Sequence, residues 1–456
     1  MKLQTSLEYL IIIAAVLAIV GFIVYFVIGS YSSSSISAKF SECKSAAAQC
    51  KSKHLVAPND PCLFCEEACT INGVDLLEGT GYSAVELCRQ GNASAIYQRE
   101  KLPPACYNDS DCDDGNACTI DYCQNPGSSE AVCVNEPIFG CINTVGRFNS
   151  PDTAFDVIRE EGKDVVFLAD GSSVFAVNVS NKSSPSVISK SFCEDECFNL
   201  AEVNAGSNRF LVSVGRKNPF GSSSIYVFKV SGTSTLEQVF AQDVKDNMRD
   251  VFVDDRGYVF VVADKLGLLI YKIDQDTGVL SRISSFSIDG VPSSVTVVER
   301  GRDYVAYVLS SNGLYAVDVN DVSNPSLIGS INEIKSNYIN NEKIISNEKL
   351  LYLSANSFFY VINVSSVTSD SFNPVIIKRV GIPSPAWDLY YSHHSSVNLV
   401  FAAASEAGVI VLNVTDPSSP HMISNWTSYS LGVCEDSWFV YSCAGGGGLY
   451  IGEVTH

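Results

Sequence analysis

The feature that most constrains this chain is a unit that recurs through its last two thirds. "SVFAVNVSNKSSPSVI" (173–188), "GLYAVDVNDVSNPSLI" (313–328) and "GVIVLNVTDPSSPHMI" (408–423) are near copies, and "FFYVINVSSVTSDSFNPVII" (358–377) is a lengthened one. Looser versions start at Ser224 and Gly267, and "GLYIGEV" (448–454) is cut short. One polar residue sits inside each hydrophobic run: Asn178, Lys229, Lys272, Asp318, Asn363, Asn413 and Glu453, spaced by 51, 43, 46, 45, 50 and 40 residues. A period near 45 residues, filled with short β-branched and aromatic runs split by Gly, Asn and Asp turns, predicts four-stranded blades arranged radially. The expected fold is mainly β, with a seven-bladed β-propeller over 142–456. A two-sheet sandwich is the rival, and it has no need of seven even units.

The strands can be assigned in order. The third repeat reads "MRDVFVDD", "GYVFVVAD", "GLLIYKID" and "GVLSRISSF". The last repeat has only three strands before His456. A propeller must close to hide its edges, so a strand from elsewhere is expected to complete it. "CINTVGRF" (141–148), just before the first repeat, is similar to the outer strand "PSLIGSI" (325–331) and is assigned that place. The "VxDVsNPs" turns resemble those of LVIVD-repeat propellers, a family of extracellular repeats without a common catalytic residue set.

The N-terminus sets the compartment. Residues 10–28 form an uncharged and nearly all-apolar run, about the length that spans a bilayer core as a helix. Glu8 stands at its leading edge, where a carboxylate is costly and normally functional. "LQTSLEYLIII" resembles the type IV pilin-like class III signal peptide of archaea, with Gln4 first, Ser6 third and Glu8 fifth in the mature chain. Leu3 replaces the usual glycine before the cut. The resemblance implies that a prepilin peptidase cleaves between Leu3 and Gln4. It implies that Glu8 then neutralises the terminal amine of a neighbouring pilin-like subunit inside a packed helical filament. The alternative is a plain signal anchor with Lys2 held inside. The expected organisation is a leader 1–3, a pilin-like helix 4–55 with a membrane segment at 7–28, a stem at 56–141, and the repeats.

Of 16 cysteines, 12 fall between Cys43 and Cys141. Dense cysteine with few histidines, after an apolar N-terminus, reads as disulfides made in an oxidising space. All are assigned to disulfides: Cys43, Cys50, Cys62, Cys65, Cys69, Cys88, Cys106, Cys112, Cys118, Cys123, Cys133 and Cys141 in the stem, and Cys193, Cys197, Cys434 and Cys443 in the repeats. "CLFCEEAC" has a spacing that could hold zinc, yet no matching second cluster follows. "NDSDCDDGNACTIDYC" resembles a cysteine-rich repeat of secreted proteins. Its Asp109, Asp111 and Asp113 alternate as calcium ligands would, but the glycine falls one place late for an EF-hand loop and no glutamate closes it. The rival to a calcium site is an acidic turn pinned by disulfides. No other cofactor is expected.

The net charge of −20 disfavours nucleic acid as a partner. No G-x-S-x-G, H-E-x-x-H, Walker or dinucleotide motif is present, and His393 and His394 are read as a turn, so no enzyme is expected. Sequons at Asn178, Asn363 and Asn413 share one register, before the turn from third to fourth strand. Glycans there would coat one face, leaving the opposite face, with Asp170, Asp264 and Glu406, open for a partner. The function expected is a membrane-anchored or filament-forming cell-surface protein that displays its propeller to a surface ligand, glycan or protein. A monomeric anchored receptor and a tethered exoenzyme are the alternatives.

Overall fold

A computed structural model describes residues 70–71, 74–75 and 106–455, less 117, 129–130, 217–220, 302, 336–341, 395, 428 and 437. The leader, Glu8, the 7–28 span and the six cysteines from Cys43 to Cys88 lie outside the described residues. Among the described residues no helix is long and apolar enough to cross a membrane. The chain divides into two compact units, Met1–Glu136 and Pro137–His456.

In the first unit, a single helical turn at Asp109–Cys112 precedes the hairpin of Thr119–Gln124 and Val132–Pro137. Disulfides Cys106–Cys123 and Cys112–Cys133 close loops of 17 and 21 residues, and Cys118 is also disulfide-bonded. The buried residues here are mostly the cysteines themselves with Ala131, so covalent links replace an apolar core.

The second unit is built from the repeats. The third repeat folds as Met248–Val253, Tyr258–Ala263, Gly267–Ile273 and Leu280–Phe286, in sequence order within one antiparallel sheet. Alternation of apolar side chains would bury only one face. Here nearly every residue of the second and third strands is buried, because each sheet packs on a neighbour at both faces. Among the described residues seven apolar clusters follow, each shared between adjacent repeats, including one that joins the seventh to the first through Tyr441, Leu449, Phe175 and Val177.

Among the described residues of this unit the ladders form six sheets, where seven separate blades were expected. Five have four strands, and the first two repeats share one sheet of six. The cause is chain continuity. Val165–Asn178 carries both the second and third strands of repeat one. Ser186–Ala205 pairs with it through Ser186–Phe192 and then with Asn208–Arg216 through Glu196–Ala205. The Cys193–Cys197 disulfide spans the change of partner.

Closure occurs as the sequence implied. Ile142–Phe148 is the fourth strand of the last sheet, paired with Leu449–Val454. Gly146 permits this: a Cβ there would lie 1.8 Å from the Lys182 carbonyl oxygen. Around it, Trp426 Nε1 donates to Thr144 Oγ1 at 2.9 Å, and Gly140 N–H donates to the Thr455 carbonyl at 2.8 Å.

Candidate ligand-binding face

Each innermost strand brings one residue to the same level of the axis: Asp156, Asn199, Asp250, Ser294, Lys343, Asp388 and Gly432. Their side chains staple one inner strand to the next. Asp156 Oδ2 accepts from Leu200 N–H at 2.8 Å, Asp250 Oδ2 from Val295 N–H at 3.1 Å, and Asp388 Oδ2 from Val433 N–H at 3.0 Å. Ser294 Oγ accepts from Ile344 N–H at 3.2 Å, and Asn199 Nδ2 donates to the Arg249 carbonyl at 2.7 Å. Lys343 Nζ lies 2.8 Å from Asp250 Oδ1 and 3.8 Å from Asp388 Oδ1. At the seventh position there is no room for a side chain, since a Cβ on Gly432 would lie 2.7 Å from Asp156 Cα.

This belt sets its own electrostatics. Burial, reinforced by repulsion from Asp388, pushes the Asp156 carboxyl up to about 7. Burial also raises Asp388, against the pull of Lys343. Burial alone would lower Lys343, but Asp250, Asp388 and Asp156 outweigh it and hold the ammonium charged.

Above the belt lies a cavity of about 120 Å³, room for about four waters. Its wall is the residue preceding the belt in repeats two to six: Phe198, Arg249, Ser293, Glu342 and Trp387. Arg249 is aimed by Asp264, with Nε–Oδ1 at 2.5 Å and Nη2–Oδ2 at 3.1 Å, and Asn247 Nδ2 donates to the same carboxylate at 2.9 Å. The Arg216 guanidinium sits 5.3 Å over the Phe198 ring. The wall combines two aromatic surfaces with charged and hydrogen-bonding groups.

Sequence reasoning placed some of these residues and missed others. The belt escaped notice because its members differ in type from repeat to repeat. Aligning the first strands as FDV, FNL, RDV, SSV, EKI, WDL and LGV reveals the column. Of the three acids expected on the open face, Glu406 is exposed, while Asp264 is spent on Arg249. Asp170 is fully buried, accepts from Asp152 N–H at 3.1 Å and is pushed up by burial, so it braces the fold.

Asn178, Asn363 and Asn413 end the third strands of their repeats, at the rim opposite the cavity, which opens where the first strands begin. In each, Oδ1 accepts from the N–H two residues on, at 2.9, 2.9 and 3.0 Å. His393 and His394, expected in a turn, instead end the strand Asp388–His394. His394 stacks on Trp438 with ring centroids 3.7 Å apart, and its Nε2 lies 2.9 Å from Ser392 Oγ and 3.4 Å from Glu435 Oε1. His393 Nδ1 meets Asn398 Oδ1 at 2.6 Å.

Two expectations need correction. Cys434 and Cys443 are free, buried thiols. In the ladder Cys434 faces Tyr441 while Cys443 faces Gly432. Such diagonal neighbours lie ~7–8 Å apart, beyond disulfide reach. Burial raises both thiols well above their usual range. The proposed calcium ligands do not converge either. Asp111 Oδ2 accepts from Tyr107 N–H at 2.7 Å, Asp109 Oδ1 from Cys123 N–H at 2.9 Å, and Asp113 Oδ1 from Gly115 N–H at 2.8 Å. The carboxylates that do approach within 4.8 Å of one another are those of Asp113, Asp114 and Asp121. Cys141 is disulfide-bonded, as expected.

Solved structures agree on architecture. A functionally unknown protein from Desulfotomaculum acetoxidans DSM 771 matches 68% of this chain and 93% of its own, at 14% identity and a TM-score of 0.50. The β-propeller domain of Myceliophteria thermophila Cps50 (Swd1) matches over 69% of this chain and all of its own, at 10% identity and 0.54. The fold is a β-propeller. Chaetomium thermophilum Raptor aligns over 70% of this chain but only 29% of its own length, at 12% identity and a TM-score of 0.52. No protein-family profile matches the sequence. No curated protein matches it either.

Proposed function

We propose that this chain is a cell-surface binding protein, held at the membrane by its apolar N-terminal segment, which presents a propeller face to an external ligand. The observation that carries the reading is the polarity of the ring. The axial cavity opens at the rim opposite Asn178, Asn363 and Asn413. Glycans on one rim would leave the cavity rim free for a partner. The belt carboxylates are already bonded to backbone amides and Lys343, an arrangement that suits a rigid binding scaffold better than proton transfer.

The pilin-like reading of "LQTSLEYLIII" adds that prepilin peptidase matures the chain and that it packs with other pilin-like subunits. N-terminal sequencing of the native protein, with electron microscopy of the cell surface, tests this. A mature start at Gln4 and fibres that disappear in Glu8→Ala are expected. An intact Met1 with detergent-soluble single subunits would leave an anchored receptor instead. For the binding face, Arg249→Ala and Trp387→Ala are expected to abolish cell or matrix adhesion while Asn413→Gln leaves it unchanged.

A further inference from the structure

On the sequon rim, a groove of about 650 Å³ runs between the fifth and sixth repeats. Asn363 lies in its wall, with Leu350, Ile377, Tyr391, His393 and Pro417. This volume lies in the range of ligand sites, ~300–1,000 Å³, and its lining sets Tyr391, Leu350, Ile377 and Pro417 among polar groups that include Glu348, Lys349 and the sequon asparagine. We infer that the groove is the seat of an N-linked glycan on Asn363, whose first sugars lie on the Tyr391 ring. The inference rests on the surface location proposed above, because glycan addition requires exposure to that compartment.

The platform is built before any sugar arrives. Tyr391 stacks on buried Tyr352 with centroids 5.5 Å apart and planes 12° off parallel. Its hydroxyl donates to Asn398 Oδ1 at 2.9 Å, so the ring cannot swing away. The C–H face of a pyranose carries slight positive charge and is attracted to the negative face of such a ring. Asn363 contributes the attachment geometry. Its Oδ1 is held by Ser365 N–H at 2.9 Å, which fixes the amide plane. Buried Val364 anchors the turn behind it, as Val179 and Val414 do at the equivalent sequons.

The test uses the full chain from its native host. Glycopeptide mass spectrometry is expected to find Asn363 occupied. Enzymatic deglycosylation, or Asn363→Gln, is expected to speed hydrogen exchange in the Asp388–Ala403 hairpin about fivefold, whereas Asn178→Gln, at the sequon of the first repeat, leaves that hairpin unchanged. In Tyr391→Ala, deglycosylation should no longer alter exchange there, which separates the contact from any general loss of stability. Asn363 found bare while Asn178 or Asn413 carries sugar overturns this inference alone. All three found bare overturns it together with the glycan-coated rim. Occupancy without any change in exchange on deglycosylation overturns the seating.

Discussion

Asp250 is the residue on which the belt turns. Its Oδ1 receives Lys343 Nζ at 2.8 Å and Asn199 Nδ2 at 3.1 Å, and its Oδ2 receives Ser294 Oγ at 2.5 Å and Val295 N–H. Asp250→Ala leaves the part-buried Lys343 ammonium with only the more distant Asp388 at 3.8 Å and takes the acceptor from three other donors, a loss of about 3–5 kcal/mol. Denaturant titration checks this, and a loss below ~1 kcal/mol would mean the belt is incidental. Asp156 predicts a pH signature. Its folded pKa, about 7, lies above the ordinary carboxylate value near 3.9. The folded state therefore holds a proton that the unfolded state has lost. Stability from this group is full below pH ~4, falls as pH rises toward 7, and is flat beyond. The melting temperature of wild type minus that of Asp156→Asn should shrink from pH 5 to 8; a constant difference would contradict the assignment. None of this was legible from single residues. An Asp, an Asn, a Ser, a Lys and a Gly share no chemistry along the sequence. Only convergence at the axis makes them one system.

At the scale of elements, alternation and turn residues placed the strands well, and repeat three folds with the assigned runs. Two features lay beyond that signal. Each third-to-fourth strand pairing bulges in the same register, just before Asn178, Lys229, Lys272, Asp318, Asn363, Asn413 and Glu453. A bulge adds a residue to one strand and sharpens the twist, and period-two patterning carries no mark of it. The fusion of the first two repeats is equally silent in sequence, because continuity of a strand depends on pairing partners. The closing strand is the testable element. Gly146→Val would drive a side chain into the Lys182 carbonyl, and amides of Leu449–Val454 should then exchange faster by an order of magnitude or more. Unchanged protection would show that the strand adapts without loss.

For the whole propeller unit, closure joins both ends of the repeat array. Ile142–Phe148 covers the edge of Leu449–Val454, and Ala154 N–H donates to the Gly445 carbonyl at 3.0 Å. Replacing residues 142–148 by a flexible linker would expose an edge strand with unpaired N–H and C=O groups. Aggregation or dimerisation through that edge is the expected outcome in light scattering. A monodisperse, fully stable variant would show the ring does not need its Velcro strand.

By itself the sequence determined the period, the strand order and the strand that closes the ring, since these follow from local alternation and from counting repeats. It also assigned Cys193 and Cys197 to disulfides and placed three sequons in one register, while their pairing came from the structure. Only the tertiary structure decided that the repeats fall into six sheets, that Cys434 and Cys443 stay apart, and that unlike residues meet on the axis. The physical reason is that pairing register and inter-strand distance are properties of two segments at once. A periodic pattern records which face a residue turns to the core, and it says nothing of what stands opposite.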